Sequence, residues 1–236
     1  GVGVDVLRDE ADTDMFVTTF PNQAGKLRLT KTNVDQDTFL TIERLELTGG
    51  YSNNLIDTRV FTGAVRLDGF YGNDTLLSGS GADTLIGGFQ ADSLNAGAGN
   101  DVLSGEPFGS YFFVNENGDD TLDGGLGIDT LSETGDADFV LTNTQLTGFG
   151  TDTLIGLEAA RLTGGDYNNR FDARAFTGPT TLIGNNGNDT LIGGTANDVL
   201  DGGNDNDGLA GMAGNDTITG GSGSDTILGG LGNDSL

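Results

Sequence analysis

Twelve aspartates stand at one place in a nine-residue pattern, and together they could do one kind of chemistry: oxygen ligation of a hard cation. They are Asp74, Asp83, Asp92, Asp101, Asp120 and Asp129, then Asp189, Asp198, Asp207, Asp216, Asp225 and Asp234. Asp5 fits the same place in a shortened opening repeat. The pattern is G-G-x-G-x-D-x-U-x, where U is a large aliphatic residue, and it runs unbroken from GNNGNDTLI (184–192) to GGLGNDSL (229–236). Glycines at positions 1, 2 and 4 let the backbone turn tightly at φ > 0. Successive carbonyls of such a turn point to alternate sides, and calcium accepts six to eight oxygens, backbone carbonyls included. The expected carbonyl donors are Gly79, Gly81, Gly88, Gly97, Gly99, Gly125, Gly127, Gly184, Gly187, Gly194, Gly203, Gly214, Gly221 and Gly223. The chain has no histidine and no cysteine, which removes the usual zinc ligands, disulfide stapling and the commonest general base.

The elements that position these carboxylates are read from position 8. It is always apolar: Leu76, Leu85, Leu94, Leu103, Leu122 and Leu131, then Leu191, Leu200, Leu209, Ile218, Ile227 and Leu236. A Leu/Ile ladder at fixed period is the inward face of stacked short strands. A flexible Gly/Ser/Asp linker, the bland alternative, has no need of it. With 42 glycines and a net charge of −26, the chain by itself has a disordered composition. About six to ten calcium ions would neutralise roughly half of that charge. All ten bases lie in 8–66 or 161–174, so no basic face exists to meet phosphates, and nucleic acid is excluded as a partner. No apolar run of about 20 residues is present, and no membrane insertion is expected. Residues 1–20 carry five acids and do not read as a signal peptide. Both ends fall within repeats, so the sequence reads as a piece of a longer solenoid whose open edges would associate end to end.

A larger repeat overlies the small one. DTFLTIERLELTGGYSNNLIDTRVFTG (37–63) aligns with DTLIGLEAARLTGGDYNNRFDARAFTG (152–178) at an offset of 115. The expected organisation is the end of an array at 1–8, a strand spacer at 9–68 and a nonapeptide array at 69–132 with an insert at 105–114. A second spacer at 133–183 and a second array at 184–236 follow. Period-two alternation in Phe16–Phe20, Lys26–Lys31 and Leu45–Leu47 predicts strands in the first spacer. The spacers are expected to be wider coils of one right-handed parallel β-solenoid, or else separate small β-sandwiches. The insert brings Pro107, Phe108, Tyr111, Phe112 and Phe113 into an aromatic-poor chain. It reads as a contact surface for a partner or glycan, or as a bulged loop covering the end of an ion array. Phe70, Asn185 and Met212 replace the glycine at position 2, and Gln90, Ala196 and Asp205 the one at position 4, and ions are expected to be weaker at such repeats.

The nonapeptides resemble those of the RTX (repeats-in-toxin) family. That resemblance implies an all-β β-roll in which two nonapeptides make one coil and each calcium lies between turns 18 residues apart. It implies that carbonyls of positions 1 and 3 serve one ion and those of 2 and 4 the next, with the aspartate bridging. It also implies type I secretion and folding in extracellular calcium. The function expected is a calcium-loaded structural region of a large exported or cell-surface bacterial protein, with surface polysaccharide or a second copy as partner. The alternative is an accessory module of a secreted protease, lipase or polysaccharide-modifying enzyme. Glu43, Glu46, Glu133 and Glu158 form no cluster legible as a catalytic pair, so no enzyme activity is expected of these residues. Ice binding would need a regular threonine row at position 3, and that row is irregular.

Overall fold

The computed structural model describes residues 6–19, 27–31, 34–39, 42–107 and 118–236; Asp5 and the insert's Phe108, Tyr111, Phe112 and Phe113 lie outside them. The described residues up to Asp129 form one compact unit and Thr130–Leu236 a second. Neither contains a helix among the described residues.

The strands of the first unit are β1 (Val6–Glu10), β2 (Met15–Thr19), β3 (Leu27–Lys31), β4 (Val34–Phe39), β5 (Arg44–Thr48), β6 (Leu55–Asp57) and β7 (Ala64–Tyr71). They continue as β8 (Thr75–Leu77), β9 (Thr84–Phe89), β10 (Ser93–Asn95), β11 (Ala98–Gly99), β12 (Val102–Ser104), β13 (Thr121–Asp123) and β14 (Leu126–Gly127). From β5 to β10 consecutive strands alternate between two sheets, in the orders β1-β5-β7-β9-β12 and β13-β10-β8-β6-β2-β3-β4. That alternation is a solenoid: each coil lays one strand on each sheet. The ladders are parallel and position 8 stays in register, with Leu94 opposite Leu76 and Leu122, and Leu67 opposite Leu85. Because side chains alternate along a strand, one in two faces inward, and Leu67, Leu76, Leu85, Leu94, Leu103 and Leu122 are fully buried.

The second unit repeats the plan with β15 (Thr130–Thr134), β16 (Phe139–Thr142), β17 (Gln145–Thr147), β18 (Thr151–Ile155), β19 (Ala159–Thr163) and β20 (Arg170–Ala175). Its array supplies β21 (Thr180–Asn185), β22 (Thr190–Ile192), β23 (Val199–Asn204), β24 (Gly208–Ala213), β25 (Thr217–Ser222) and β26 (Thr226–Leu231). The sheet orders are β15-β19-β21-β23-β25 and β26-β24-β22-β20-β16-β17-β18. Leu191, Leu200, Leu209 and Ile218 form the array core; Phe139, Phe171 and Phe176 fill the wider spacer coils.

The spacers carry one feature that strand periodicity did not foretell. Each leaves the parallel stack for an antiparallel meander, β2-β3-β4 in one unit and β16-β17-β18 in the other. Alternation marks a strand but says nothing of its direction. In the second unit the reversals fall at Asn143-Thr144 and at Gly148-Phe149-Gly150, which are short, turn-prone segments.

Candidate metal centre

Within each unit the position-6 aspartates of the array form two columns along the solenoid turns. The backbone N–H of one donates to the Oδ1 of the aspartate one coil on. Asp74 donates to Asp92 at 2.7 Å, Asp83 to Asp101 at 2.8 Å, Asp189 to Asp207 at 2.8 Å and Asp198 to Asp216 at 2.9 Å. The ladder crosses the insert without a break, since Asp92 donates to Asp120 at 2.7 Å and Asp101 to Asp129 at 2.8 Å across 28 residues. It ends with Asp207 on Asp225 and Asp216 on Asp234, both at 3.0 Å. Ten of these carboxylates are buried: all but Asp225 and Asp234.

The second oxygen is the informative one. Oδ2 of Asp74, Asp92, Asp101, Asp189, Asp207 and Asp216 is buried and meets no hydrogen-bond donor. A buried polar atom left so costs about 1–3 kcal/mol, and more when charged. Apart from Asp101, whose repeat has Ala96 at position 1, each such oxygen turns toward the position-1 glycine of its own repeat, where a carbonyl of the next coil also arrives. A Cβ on Gly87 would stand 2.5 Å from Asp92 Oδ2 and 2.6 Å from the Gly105 carbonyl; on Gly193 it would stand 2.6 Å from Asp198 Oδ2 and 2.9 Å from the Gly211 carbonyl. Asp198 differs in that its Oδ2 accepts from the Gly194 N–H at 2.7 Å. At Gly69, Gly87, Gly184, Gly193, Gly202 and Gly211 a carboxylate oxygen and a carbonyl oxygen converge where a Cβ would stand, whereas Ser78 and Ala96 hold position 1 in the column of Asp83 and Asp101.

Position-2 and position-4 carbonyls point the other way, at the matching glycines of the following coil. The Gly79 and Gly97 carbonyls face Gly97 and Gly125; those of Gly81 and Gly99 face Gly99 and Gly127; those of Gly203 and Gly214 face Gly221 and Gly232. Gly88, Gly97, Gly99, Gly125, Gly127, Gly187, Gly203, Gly214, Gly221 and Gly223 have φ between +88° and +152°, whereas Gly79, Gly81, Gly184 and Gly194 do not. The template departures obey the same turn. Phe70, Gln90, Asn185, Asp205 and Met212 hold φ of +72° to +78°, and they are the five non-glycine residues in that region among the described residues. Ala196 alone avoids it.

Burial dominates the electrostatics. It raises Asp92 to about 9, Asp74 to about 7, and Asp101 and Asp189 to about 6, with column neighbours such as Asp120 and Asp74 raising Asp92 further. The same burial raises Asp83, Asp207 and Asp216, against the opposing effect of the N–H donated from the previous coil. A protein stripped of cations must hold protons at these places or carry buried, uncompensated charge.

These residues fit calcium. The donors are hard oxygens, anionic and carbonyl, gathered at a backbone cradle that a Cβ would fill. No three acidic side chains meet among the described residues, so each oxygen shell would draw on turn carbonyls as well as one or two carboxylates.

Two contributors escaped the sequence reading. The family pattern implies position-1 carbonyls as donors, yet of the position-1 glycines only Gly184 stands among the expected donors. Position 5, treated as variable, is asparagine in seven of the twelve repeats. Its side chain builds a second ladder beside the first. Asn188 Oδ1 accepts from Asn206 N–H at 3.0 Å, Asn206 from Ser224 at 2.8 Å, and Asn197 and Asn215 from Asn215 and Asn233 at 2.8 Å. These amides fix coil-to-coil registration of the turn whose carbonyls must converge.

A parallel solenoid with one buried carboxylate per glycine turn and alternating carbonyls defines a class, the metal-dependent β-roll repeat. The model of the RTX calcium-binding nonapeptide repeat matches this chain in four copies, at residues 62–106, 116–131, 174–209 and 209–236. The matches cover more than half of the chain, and it belongs to that family. It is a calcium-binding repeat region. A search of curated proteins returns no match.

Proposed function

We propose that calcium ions lie between successive turns of each column, held by the position-6 aspartates and the carbonyls of positions 1 to 4, and that their binding drives folding. The observation that carries this is the row of buried Oδ2 atoms without a donor, those of Asp74, Asp92, Asp189, Asp207 and Asp216 set against a carbonyl of the next coil. An unpartnered buried carboxylate is costly, and a bound cation removes that cost. The described gaps and the family spacing support roughly six to ten ions in all. The region is a structural one, extending and stiffening a larger exported or cell-surface bacterial protein. RTX repeats typically occur in secreted bacterial proteins, and a chain of net charge −26 without cations is suited to export unfolded. Calcium outside the cell then supplies the counter-charge.

Calorimetric titration of two variants tests the assignment. Asp216→Ala removes a buried carboxylate that touches the Asp198 N–H and faces the Gly229 carbonyl across Gly211. It should lower calcium stoichiometry by one or two ions. Asp201→Ala, on an exposed strand position, should leave the stoichiometry unchanged. Equal losses in both would mean that the ligand register is wrong.

A further inference from the structure

The spacer turns GGYSNNLID (49–57) and GGDYNNRFD (164–172) are themselves nonapeptides, with asparagine where the arrays have aspartate. Asn54 and Asn169 occupy position 6, and both are buried. Each stands at the head of an aspartate column: Asn54 N–H donates to Asp74 Oδ1 and Asn169 N–H to Asp189 Oδ1, both at 2.7 Å. The cradle is preserved as well. A Cβ on Gly49 would stand 2.6 Å from Asn54 Oδ1 and closer still to the Gly69 carbonyl, and one on Gly164 would stand 2.5 Å from the Gly184 carbonyl and closer to Asn169 Oδ1.

What differs is how the side-chain oxygen is satisfied. Gly50 N–H donates to Asn54 Oδ1 at 2.7 Å, and Gly165 N–H to Asn169 Oδ1 at 3.2 Å. In the Asp92 repeat the matching Gly88 N–H serves the Gly105 carbonyl of the next coil at 2.8 Å instead, while in the Asp198 repeat the Gly194 N–H stays on the carboxylate at 2.7 Å. Asn169 Nδ2 also donates to the Ala137 carbonyl of the preceding coil at 3.4 Å. The amide oxygen thus has its donor and carries no charge, while Asp74 and Asp189, next in the two columns, each keep a buried Oδ2 without one. The second column of each unit starts on an uncharged residue too. Val65 N–H donates to Asp83 Oδ1 at 2.9 Å; Thr180 donates to Asp198 Oδ1 through N–H at 2.7 Å and Oγ1 at 2.9 Å.

We infer that Asn54 and Asn169 are cation-silent caps: turns with the full architecture of a calcium site, in which an amide in place of a carboxylate ends the ion column at the spacer. Changing either residue to aspartate removes the amide donor and places a carboxylate beside the Gly69 or Gly184 carbonyl. The column is then one site longer. This rests on the proposed ligation by the array aspartates, and the test separates the two. Calcium bound per chain is measured by equilibrium dialysis at saturating calcium for the parent, Asn54→Asp, Asn169→Asp, the double variant and Asn169→Ala. Expected are one extra ion for each aspartate, two for the double variant, and the parent's number for Asn169→Ala. Parent chains that bind no calcium would remove the underlying reading. A loaded parent with no gain in the aspartate variants overturns the caps alone, as does an Asn169→Ala variant that loses an ion, since Asn169 would then already be a ligand. An Asn169→Asp chain that stays unfolded at saturating calcium counts against the inference equally, because the added ion should satisfy the added carboxylate.

Discussion

Adding one methyl group at Gly211 and at Gly208, three residues apart in the second array, should have opposite effects. A Cβ on Gly211 would lie 2.6 Å from the Gly229 carbonyl and closer still to Asp216 Oδ2, whereas on Gly208 its nearest neighbours are 3.8 and 4.0 Å away. Relieving the first overlap means moving a strand backbone or the carboxylate by about half an ångström or more, and such overpacking costs about 1–3 kcal/mol. The displaced carboxylate also loses its place in the cation cradle. An ion held at a hundred times its dissociation constant contributes about 2.7 kcal/mol, so Gly211→Ala should destabilise the array by roughly 4–6 kcal/mol in saturating calcium. Gly208→Ala meets open space in an extended strand and should stabilise by about 0.4–1 kcal/mol, because alanine restricts the unfolded chain. Urea unfolding at millimolar calcium, repeated in chelator, measures both. The metal-linked part of the Gly211→Ala loss should vanish in chelator. Equal effects of the two alanines, or a Gly211→Ala loss that ignores calcium, would refute the cradle.

The strained turns give a second pair: Met212→Gly, at φ +76°, should raise stability by up to about 1 kcal/mol by removing left-handed strain, whereas Ala196→Gly, where that strain is absent, should lower it by about 0.5–1 kcal/mol. Thermal melts in calcium that rank these two the other way would contradict the turn geometry. Proton linkage gives a third prediction. Burial raises the folded-state carboxylates above their usual range, to about 6 for Asp101 and Asp189, about 7 for Asp74 and about 9 for Asp92. Without calcium the folded chain therefore binds more protons than the unfolded one; its stability is greatest below about pH 4 and falls as pH rises toward 9. Circular dichroism in chelator should show β structure gained on acidification, and calcium binding near pH 6 should release protons, seen as buffer-dependent heats; a flat pH profile and buffer-independent heats would contradict it. Finally, Asn206→Ala removes the Oδ1 that accepts from Ser224 N–H and the Nδ2 that donates to Asn188 Oδ1, leaving the backbone N–H bond to Asn188, and should cost about 1–2 kcal/mol in urea unfolding without changing ion number; a changed ion number would make that side chain a ligand.

The array was the most legible part of the chain, because its period couples two independent signals. Aliphatics at position 8 and aspartates at position 6 each demand the same coil, and the ten position-8 residues from Leu76 to Ile218 are buried. Leu236, in the last coil, is exposed. The turn glycines were legible as flexible sites, but their differing jobs were not. Position-1 glycines such as Gly87 and Gly211 exclude a Cβ by crowding, though Ser78 and Ala96 carry one in the column of Asp83 and Asp101, while positions 2 and 4 mostly demand positive φ, which Met212 and Phe70 also endure. Both departures from glycine suggest weak ion sites, yet the fold imposes the same turn on them. The antiparallel meanders were hidden because β2 and β16 look like any amphipathic strand until a partner is known. Asn54 and Asn169 were hidden because they carry no carboxylate, and an Asn-Asn pair after two glycines looks like any turn.

The most direct test is a calcium titration of the whole chain followed by far-ultraviolet circular dichroism, begun in excess chelator at neutral pH. Coil is expected across the arrays at first, giving way cooperatively to β structure at about 0.1–1 mM calcium, the range of extracellular modules. Full β structure in chelator that calcium leaves unchanged would mean that the buried carboxylates need no cation.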